Sequence, residues 1–164
     1  MTEENHVLSL LVDNEPGVLS RITGLFSGRG YNIESLGVAE TISSNVSRIT
    51  MITKADKVVI EQIKKQLHKL INVIKVQELT DMDHVRRELA LIKVHAKPEN
   101  RAEILRIADI FRSKVIDVGQ EHYILEITGN EDKISAFMNL LKPMGIKEIA
   151  RTGSIALPRD PKKL

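Results

Sequence analysis

Residues 13–33 restrict the fold more than any other stretch of this sequence, because they join two apolar runs through a predicted helix. Residues 6–12 are largely apolar and are typical of a buried strand. We expect a helix to begin near Glu15, since Pro16 suits the first helical turn and Asn14 suits the cap. The apolar residues that follow recur at helical spacing until a pair of glycines, which is typical of a helix end. The stretch therefore predicts a strand, a helix and a second strand.

The remaining apolar runs indicate that one order of elements occurs twice. In the first copy we predict strands at residues 6–12, 32–41, 46–54 and 73–78, with helices at 16–29 and, after Asp56, through residue 71. In the second copy we predict strands at 89–96, 115–118, 123–128 and 146–157, with helices after Asn100 and at 130–142. The order β-α-β-β-α-β in fewer than about 80 residues is the split βαβ, or ferredoxin-like, unit.

These elements predict an α+β protein with two ferredoxin-like domains in tandem. The expected boundaries are a first domain at residues 1–79, a linker at 80–87, a second domain at 88–157 and a loose tail at 158–164. A sheet with helices on only one face leaves its other face and its edges to be covered, so we expect a homo-oligomer.

Composition excludes several classes of protein. The chain has 164 residues, of which 42% are hydrophobic and 28% charged, which is too apolar for a disordered chain. The formal charge of +2 implies no large field for nucleic acid or anionic membranes. There is no cysteine, and neither a signal peptide nor a membrane span is recognisable, so we expect a cytoplasmic location.

The loop before the first helix is where the sequence indicates a ligand site. Unpaired amides at a helix start attract a carboxylate, and Gly17 has no Cβ to keep a ligand from the backbone. The acidic residues Asp13 and Glu15 favour a ligand that also carries an ammonium group, such as an amino acid. We expect Asn32 to lie beside this loop on the neighbouring strand. The alternative is that Asn14 and Gly17 form only a helix cap and a tight turn.

Other motifs favour a binding module over an enzyme. The equivalent loop of the second copy, residues 97–100, has no glycine, so we place the site in the first copy only. The 5 histidines are scattered without metal-ligand spacing, and no serine lies in a nucleophile elbow. Aromatic residues make up 3% of the chain, too few for an RNA-binding sheet. We therefore predict no catalytic residue and no metal site.

Specific motifs carry a family resemblance over nearly the whole chain. Residues 13–36, DNEPGVLSRITGLFSGRGYNIESL, resemble the first ACT domain of the small, regulatory subunit of acetolactate synthase, also called acetohydroxyacid synthase. The resemblance continues through QIKKQLHKLINVIKV, HVRRELALIKV, FRSKVIDV and EIARTGSIAL.

This resemblance implies a regulatory subunit without catalytic residues. It implies a homodimer that pairs through ACT domains and binds valine, or another branched-chain amino acid, at the interface. It also implies a catalytic large subunit that uses thiamine diphosphate, Mg²⁺ and FAD, while this chain holds no cofactor and contributes activation and feedback inhibition. The matching effector positions are Asn14, Gly17, Val18 and Leu19 on one chain and Asn32 and Ile33 on the facing chain, with Asp13 a weaker candidate for the ammonium.

Alternatives remain at this point. The chain could be a stand-alone amino-acid sensor of the same architecture that controls another partner, or, against the missing catalytic residues, an enzyme in its own right. Four arginines, Arg48, Arg86, Arg87 and Arg151, either meet an acidic partner surface or form an ordinary solvated face.

Overall fold

The computed structural model describes residues 3–160, which divide into two compact units. Within the described residues, the first unit comprises residues 3–85 together with 154–160, and the second unit comprises Arg86–Gly153. Two separate segments of the sequence therefore form the first unit, and the continuous segment between them forms the second unit. Each unit has the β-α-β-β-α-β order around one sheet, so the predicted α+β class with two ferredoxin-like domains is confirmed.

The helices and strands lie close to the predicted positions. The first unit contains β1 (Glu4–Asp13), α1 (Val18–Gly28), β2 (Ile33–Glu40), β3 (Val46–Ala55), α2 (Lys57–His68), β4 (Val73–Glu78) and, near the C-terminus, β9 (Ile155–Pro158). Strand β5 (His84–His95) begins at the end of the first unit's leading segment and continues into the second unit. The second unit also contains α3 (Arg101–Ile110), β6 (Lys114–Val118), β7 (His122–Gly129), α4 (Glu131–Leu141), a 3-10 turn (Lys142–Met144) and β8 (Ile146–Arg151).

The sheet of the first unit has the order β2-β3-β1-β4, and its neighbouring strands are antiparallel. Both helices cover one face, because apolar residues at helical spacing on α1 and α2 meet alternate residues of the strands. The buried residues of this core are Leu8, Leu10, Val12, Val18, Ile22, Phe26, Ile49, Met51, Ile60, Ile63 and Leu67.

The opposite face of this sheet is partly covered by the C-terminal segment. Ala156 of β9 is buried in a small cluster with Val7, Ile52 and Leu79. The backbone amide of Ser154 donates a hydrogen bond of 2.9 Å to Ser35 Oγ on β2. A segment that the sequence assigned to the second domain therefore completes the first.

Three boundaries differ from the predicted ones. The single strand predicted at residues 146–157 is interrupted at 152–154, where Gly153 has a φ of 78°, which ends a regular strand. Strand β5 begins at His84, inside the predicted linker of residues 80–87, because the polar turn before it is short. Part of the predicted tail is ordered, since the Arg159 amide donates to the Asp83 carbonyl at 2.8 Å, while residues 161–164 lie outside the described residues.

The second unit repeats the arrangement with the strand order β6-β7-β5-β8. Helices α3 and α4 bury Ile104, Ile107, Ile134 and Phe137 against alternate residues of β5 and β7. Within residues 3–160, none of the helices combines the length and the apolar character needed to cross a membrane.

Candidate functional site

The first helix starts later than predicted, and its start depends on a glycine. α1 begins at Val18, not near Glu15, and Gly17 precedes it with a φ of 87° and a ψ of −11°. This left-handed conformation is costly for a residue with a Cβ, so glycine is required here by the backbone itself. The space around Gly17 is also open, because an added Cβ would meet no atom within 4 Å.

Asn14 does not cap α1, so the interpretation of this residue as a simple helix cap is wrong. Its Nδ2 donates to the Ser44 carbonyl at 2.8 Å and to Glu40 Oε1 at 3.2 Å, which ties the loop before α1 to the turn between β2 and β3. The Asn14 backbone amide donates to the Asn45 carbonyl at 2.8 Å. These hydrogen bonds fix the orientation of the Asn14 side chain. Its Oδ1 accepts no hydrogen bond from residues 3–160 and is therefore available to a donor on a ligand.

The backbone at the start of α1 offers free donors. The amides of Gly17 and Leu19 have no acceptor among the residues that the structure describes, whereas the Val18 amide makes a long contact of 3.4 Å with the Glu15 carbonyl. Unpaired amides at a helix N-terminus attract anions. The Val18 side chain is buried in the core and is not available to a ligand, while Leu19 is 39% exposed.

A polar network that the sequence did not reveal holds the loop in place. Asn72, between α2 and β4, donates from Nδ2 to Asp13 Oδ2 at 3.1 Å and accepts from the Arg21 guanidinium at 2.6 Å. Its carbonyl also accepts from the Asp13 amide at 2.9 Å. The Asp13 carboxylate is therefore already engaged, which weakens it as an ammonium partner. Since β4 pairs with β1, the predicted element order was sufficient to place Asn72 near Asp13.

Asn32 and Ile33 do not lie beside this loop within one chain, so that expectation was wrong. β1 and β2 are both antiparallel to β3, which separates them, and they therefore run in the same direction. Asp13 pairs with Val46 and Ile33 pairs with Thr53, at opposite ends of β3. Seven residues of strand correspond to roughly 23 Å.

At that distant end, both residues have their own contacts. Asn32 is exposed, and its Nδ2 donates to Glu34 Oε1 at 2.7 Å, while its carbonyl accepts from the Thr53 hydroxyl at 2.7 Å. Ile33 is half-buried against the core of the first unit. The two groups of predicted effector residues therefore lie at opposite ends of the sheet within one chain.

The four arginines suggested for an acidic partner are engaged within the chain. The Arg151 guanidinium forms a bidentate ion pair with the buried Glu88, and this hydrogen bonding raises the pKa of Arg151. Arg86 pairs with Glu131 at 2.9 Å. Arg48 donates to Ser9 Oγ at 2.7 Å, and Arg87 donates to the Arg86 carbonyl at 2.7 Å.

Both units match models of one protein family. Residues 8–75 match a model described as the AHAS small subunit-like ACT domain, and residues 87–160 match a model described as the small subunit of acetolactate synthase.

Individual relatives are similar over almost the full length of the chain. A probable acetolactate synthase small subunit of Archaeoglobus fulgidus is 51% identical, with 96% of this chain and 99% of the relative covered. The acetolactate synthase small subunit of Aquifex aeolicus is 54% identical, with 94% of this chain and 81% of the relative covered. The crystal structure of the acetolactate synthase small subunit from Thermotoga maritima superposes with a TM-score of 0.87 at 44% identity, covering 96% of this chain and 99% of that one.

Proposed function

The chain belongs to the family of acetolactate synthase small subunits, the regulatory and non-catalytic subunits of that enzyme, and from this premise we propose its specific role. It activates a catalytic large subunit and confers feedback inhibition by valine or another branched-chain amino acid. The observation that carries the proposal is the loop before α1, where free backbone amides and the oriented carbonyl of Asn14 offer partners for an amino acid's carboxylate and ammonium.

The effector site in this proposal is shared between two chains. Strand β2 lies at the edge of its sheet, and an unpaired edge is a ready template for another strand. If two β2 strands pair antiparallel about their centres, Glu40 of one chain lies opposite Ile33 of the second. Because Asn14 is bonded to Glu40, each loop then lies next to Asn32 and Ile33 of the second chain. The separation of the half-sites within one chain supports this arrangement.

The side chains suit a branched aliphatic ligand. Leu19 and Ile33 supply apolar surface that one chain alone leaves partly exposed. Burial of a branched side chain between them contributes about 1.5–3 kcal/mol. Gly17 allows the ligand's carboxylate to approach the amides at the start of α1.

In the proposed complex this chain holds no cofactor and contributes no catalytic residue. The thiamine diphosphate, Mg²⁺ and FAD belong to the catalytic large subunit. The small subunit acts by biasing the arrangement of its own dimer, for which a coupling free energy of about 1–3 kcal/mol is sufficient.

The test is to add the chain to its catalytic large subunit and to titrate valine, leucine and isoleucine while measuring acetolactate formation. We expect the wild-type chain to raise the rate and valine to lower it again. Asn14→Ala and Gly17→Asp are expected to activate the large subunit as well as the wild type does, but to raise the half-inhibitory valine concentration about tenfold or more. Asn14→Ala removes a hydrogen bond to the ammonium of valine, and the new carboxylate of Gly17→Asp repels the carboxylate of valine.

The control is Asn45→Ala, a change of the same type in the neighbouring turn, where the exposed side chain makes no hydrogen bond with the described residues. It is expected to remain fully sensitive to valine. If Asn14→Ala and Gly17→Asp are also fully sensitive, the site is misplaced. If the wild-type chain binds amino acids but does not bind the large subunit, the alternative of a stand-alone sensor is favoured.

A further inference from the structure

A groove with a cationic lining lies between the C-terminal end of α1 and the C-terminal half of α2 in the first unit. It encloses about 530 Å³. Its lining residues come from the end of α1 and from α2, and they are Arg29, Gln62, Lys65, Gln66, His68 and Lys69. None of these six is acidic, although the whole chain has nearly as many acidic as basic residues.

The cations of this groove are not neutralised within the chain. Among residues 3–160, no carboxylate pairs with Arg29, Lys65 or Lys69, in contrast to Arg86 and Arg151. Lys64, the neighbour of Lys65, illustrates the difference, because it points the other way and pairs with two glutamates. The carboxyl-terminal ends of α1 and α2 offset part of the charge, but each helix end supplies only about half a unit of negative charge.

The lining indicates what kind of anion the groove can bind. Compact phosphate sites use backbone amides at helix N-termini, whereas Arg29 and Lys69 follow the C-terminal ends of α1 and α2, whose carbonyls repel anions. No Phe, Tyr or Trp lines the groove, and the exposed His68 is the one ring among its lining residues, so its stacking surface for a nucleobase is small. The positive charge is carried by the tips of long side chains, which suits carboxylates spaced along the surface of a protein.

We propose that this groove is a docking surface for an acidic surface segment of the catalytic large subunit. The inference rests on the proposed function, because it names the surface by which the regulatory subunit contacts its partner. Charges at the rim of an interface chiefly accelerate association and make it sensitive to salt.

The test measures the dissociation constant between the intact chain and the large subunit at several salt concentrations. Lys65→Glu with Lys69→Glu reverses two groove charges, and the milder Lys65→Gln with Lys69→Gln removes them without placing carboxylates at a helix C-terminus. The control, Lys57→Glu with Lys75→Glu, makes the same change in net charge at two exposed lysines of the same unit outside the groove.

At about 50 mM salt we expect the Glu pair to weaken binding about tenfold or more and the Gln pair several-fold, with both differences shrinking as salt rises. We expect less than about a twofold change for the control and unchanged valine binding by every variant.

Equal binding by the groove variants and the wild type would overturn the docking surface while leaving the proposed function intact. So would an equal loss in the control, because net charge alone would then be responsible. Pyrophosphate that binds the wild-type chain and not the Gln pair, with large-subunit affinity unchanged, would assign the groove to a small anion instead. If the wild-type chain fails to bind the large subunit at all, both the proposed function and this inference are wrong.

Discussion

Two residues that precede helices of the first unit act through different physical means. Asp56 has extended backbone geometry, and its carboxylate accepts a hydrogen bond of 2.9 Å from the Val59 amide, so it caps α2 with its side chain. Gly17 precedes α1 without any side-chain cap and contributes only its left-handed conformation. The amides at the start of α2 are therefore partly satisfied within the chain, whereas those at the start of α1 remain available to a ligand.

This difference predicts three distinct effects on stability. Asp56→Ala is expected to lower the free energy of unfolding by about 1 kcal/mol, because a cap is lost. Gly17→Ala is expected to lower it by about 1–2 kcal/mol through backbone strain alone. Asn14→Ala is expected to lower it by only about 0.5 kcal/mol, since its bonds are exposed and cap no helix. Urea denaturation measures all three, and an Asn14→Ala loss equal to that of Asp56→Ala would restore the cap interpretation.

The elements themselves were largely predictable, and the failures have identifiable causes. α2 and β4 were located correctly, because Asp56, the helical spacing of apolar residues and the apolar run after residue 72 are all local signals. The break between β8 and β9 was not predicted, although it lies at residues 152–154, Thr-Gly-Ser, a polar stretch whose glycine is a local turn signal. That Ala156 packs against Val7 and Ile52 is a long-range contact that no local pattern indicates.

Three elements of the first unit are joined by a buried polar contact. His6 on β1 is almost completely buried, and its Nδ1 lies 2.8 Å from Glu78 Oε1 on β4. Lys64 on α2 donates to the other oxygen of Glu78 at 2.9 Å. Burial alone would raise the pKa of Glu78, but the hydrogen bonds from Lys64 and His6 outweigh it and hold the pKa below its ordinary value.

The lowered pKa predicts a pH dependence of stability. The Glu78 carboxyl binds a proton more weakly in the folded chain than in the unfolded chain, so the stability it contributes is present above its unfolded pKa of about 4.5 and is lost as the pH falls through its folded pKa. The free energy of unfolding should therefore fall less steeply on acidification in Glu78→Gln than in the wild type. Glu61→Gln, which changes an exposed partner of Lys64, is the control, and equal slopes for the wild type and Glu78→Gln would contradict the assignment.

At the scale of the whole chain, the candidate site could be predicted in part. The glycine and polar residues of the loop before α1 indicated a candidate site, and the family resemblance supplied candidate residues for both halves. The distance between the halves follows from the parallel direction of β1 and β2, with β3 between them, which depends on pairing across the sheet. The network of Asn72, Asp13 and Arg21 depends on a different pairing, that of β4 with β1, which the element order implies, but no local motif marks Asn72 as a partner of Asp13.

A site shared between two chains makes a prediction that a site within one chain does not. In a homodimer of Asn14→Ala, or of Asn32→Ala, both sites lack one contact, so neither variant should bind valine at the wild-type affinity. In a mixed dimer of the two variants, one site contains both substitutions and the other site contains neither. Random mixing makes about half of all dimers mixed dimers, and one of the two sites in each mixed dimer is unchanged. About a quarter of all sites should therefore bind valine with the wild-type affinity. Isothermal titration of an equal mixture refolded together measures this number. If the mixture contains no more sites of wild-type affinity than the separate variants do, Asn14 and Asn32 do not act in one shared site, whatever each contributes alone.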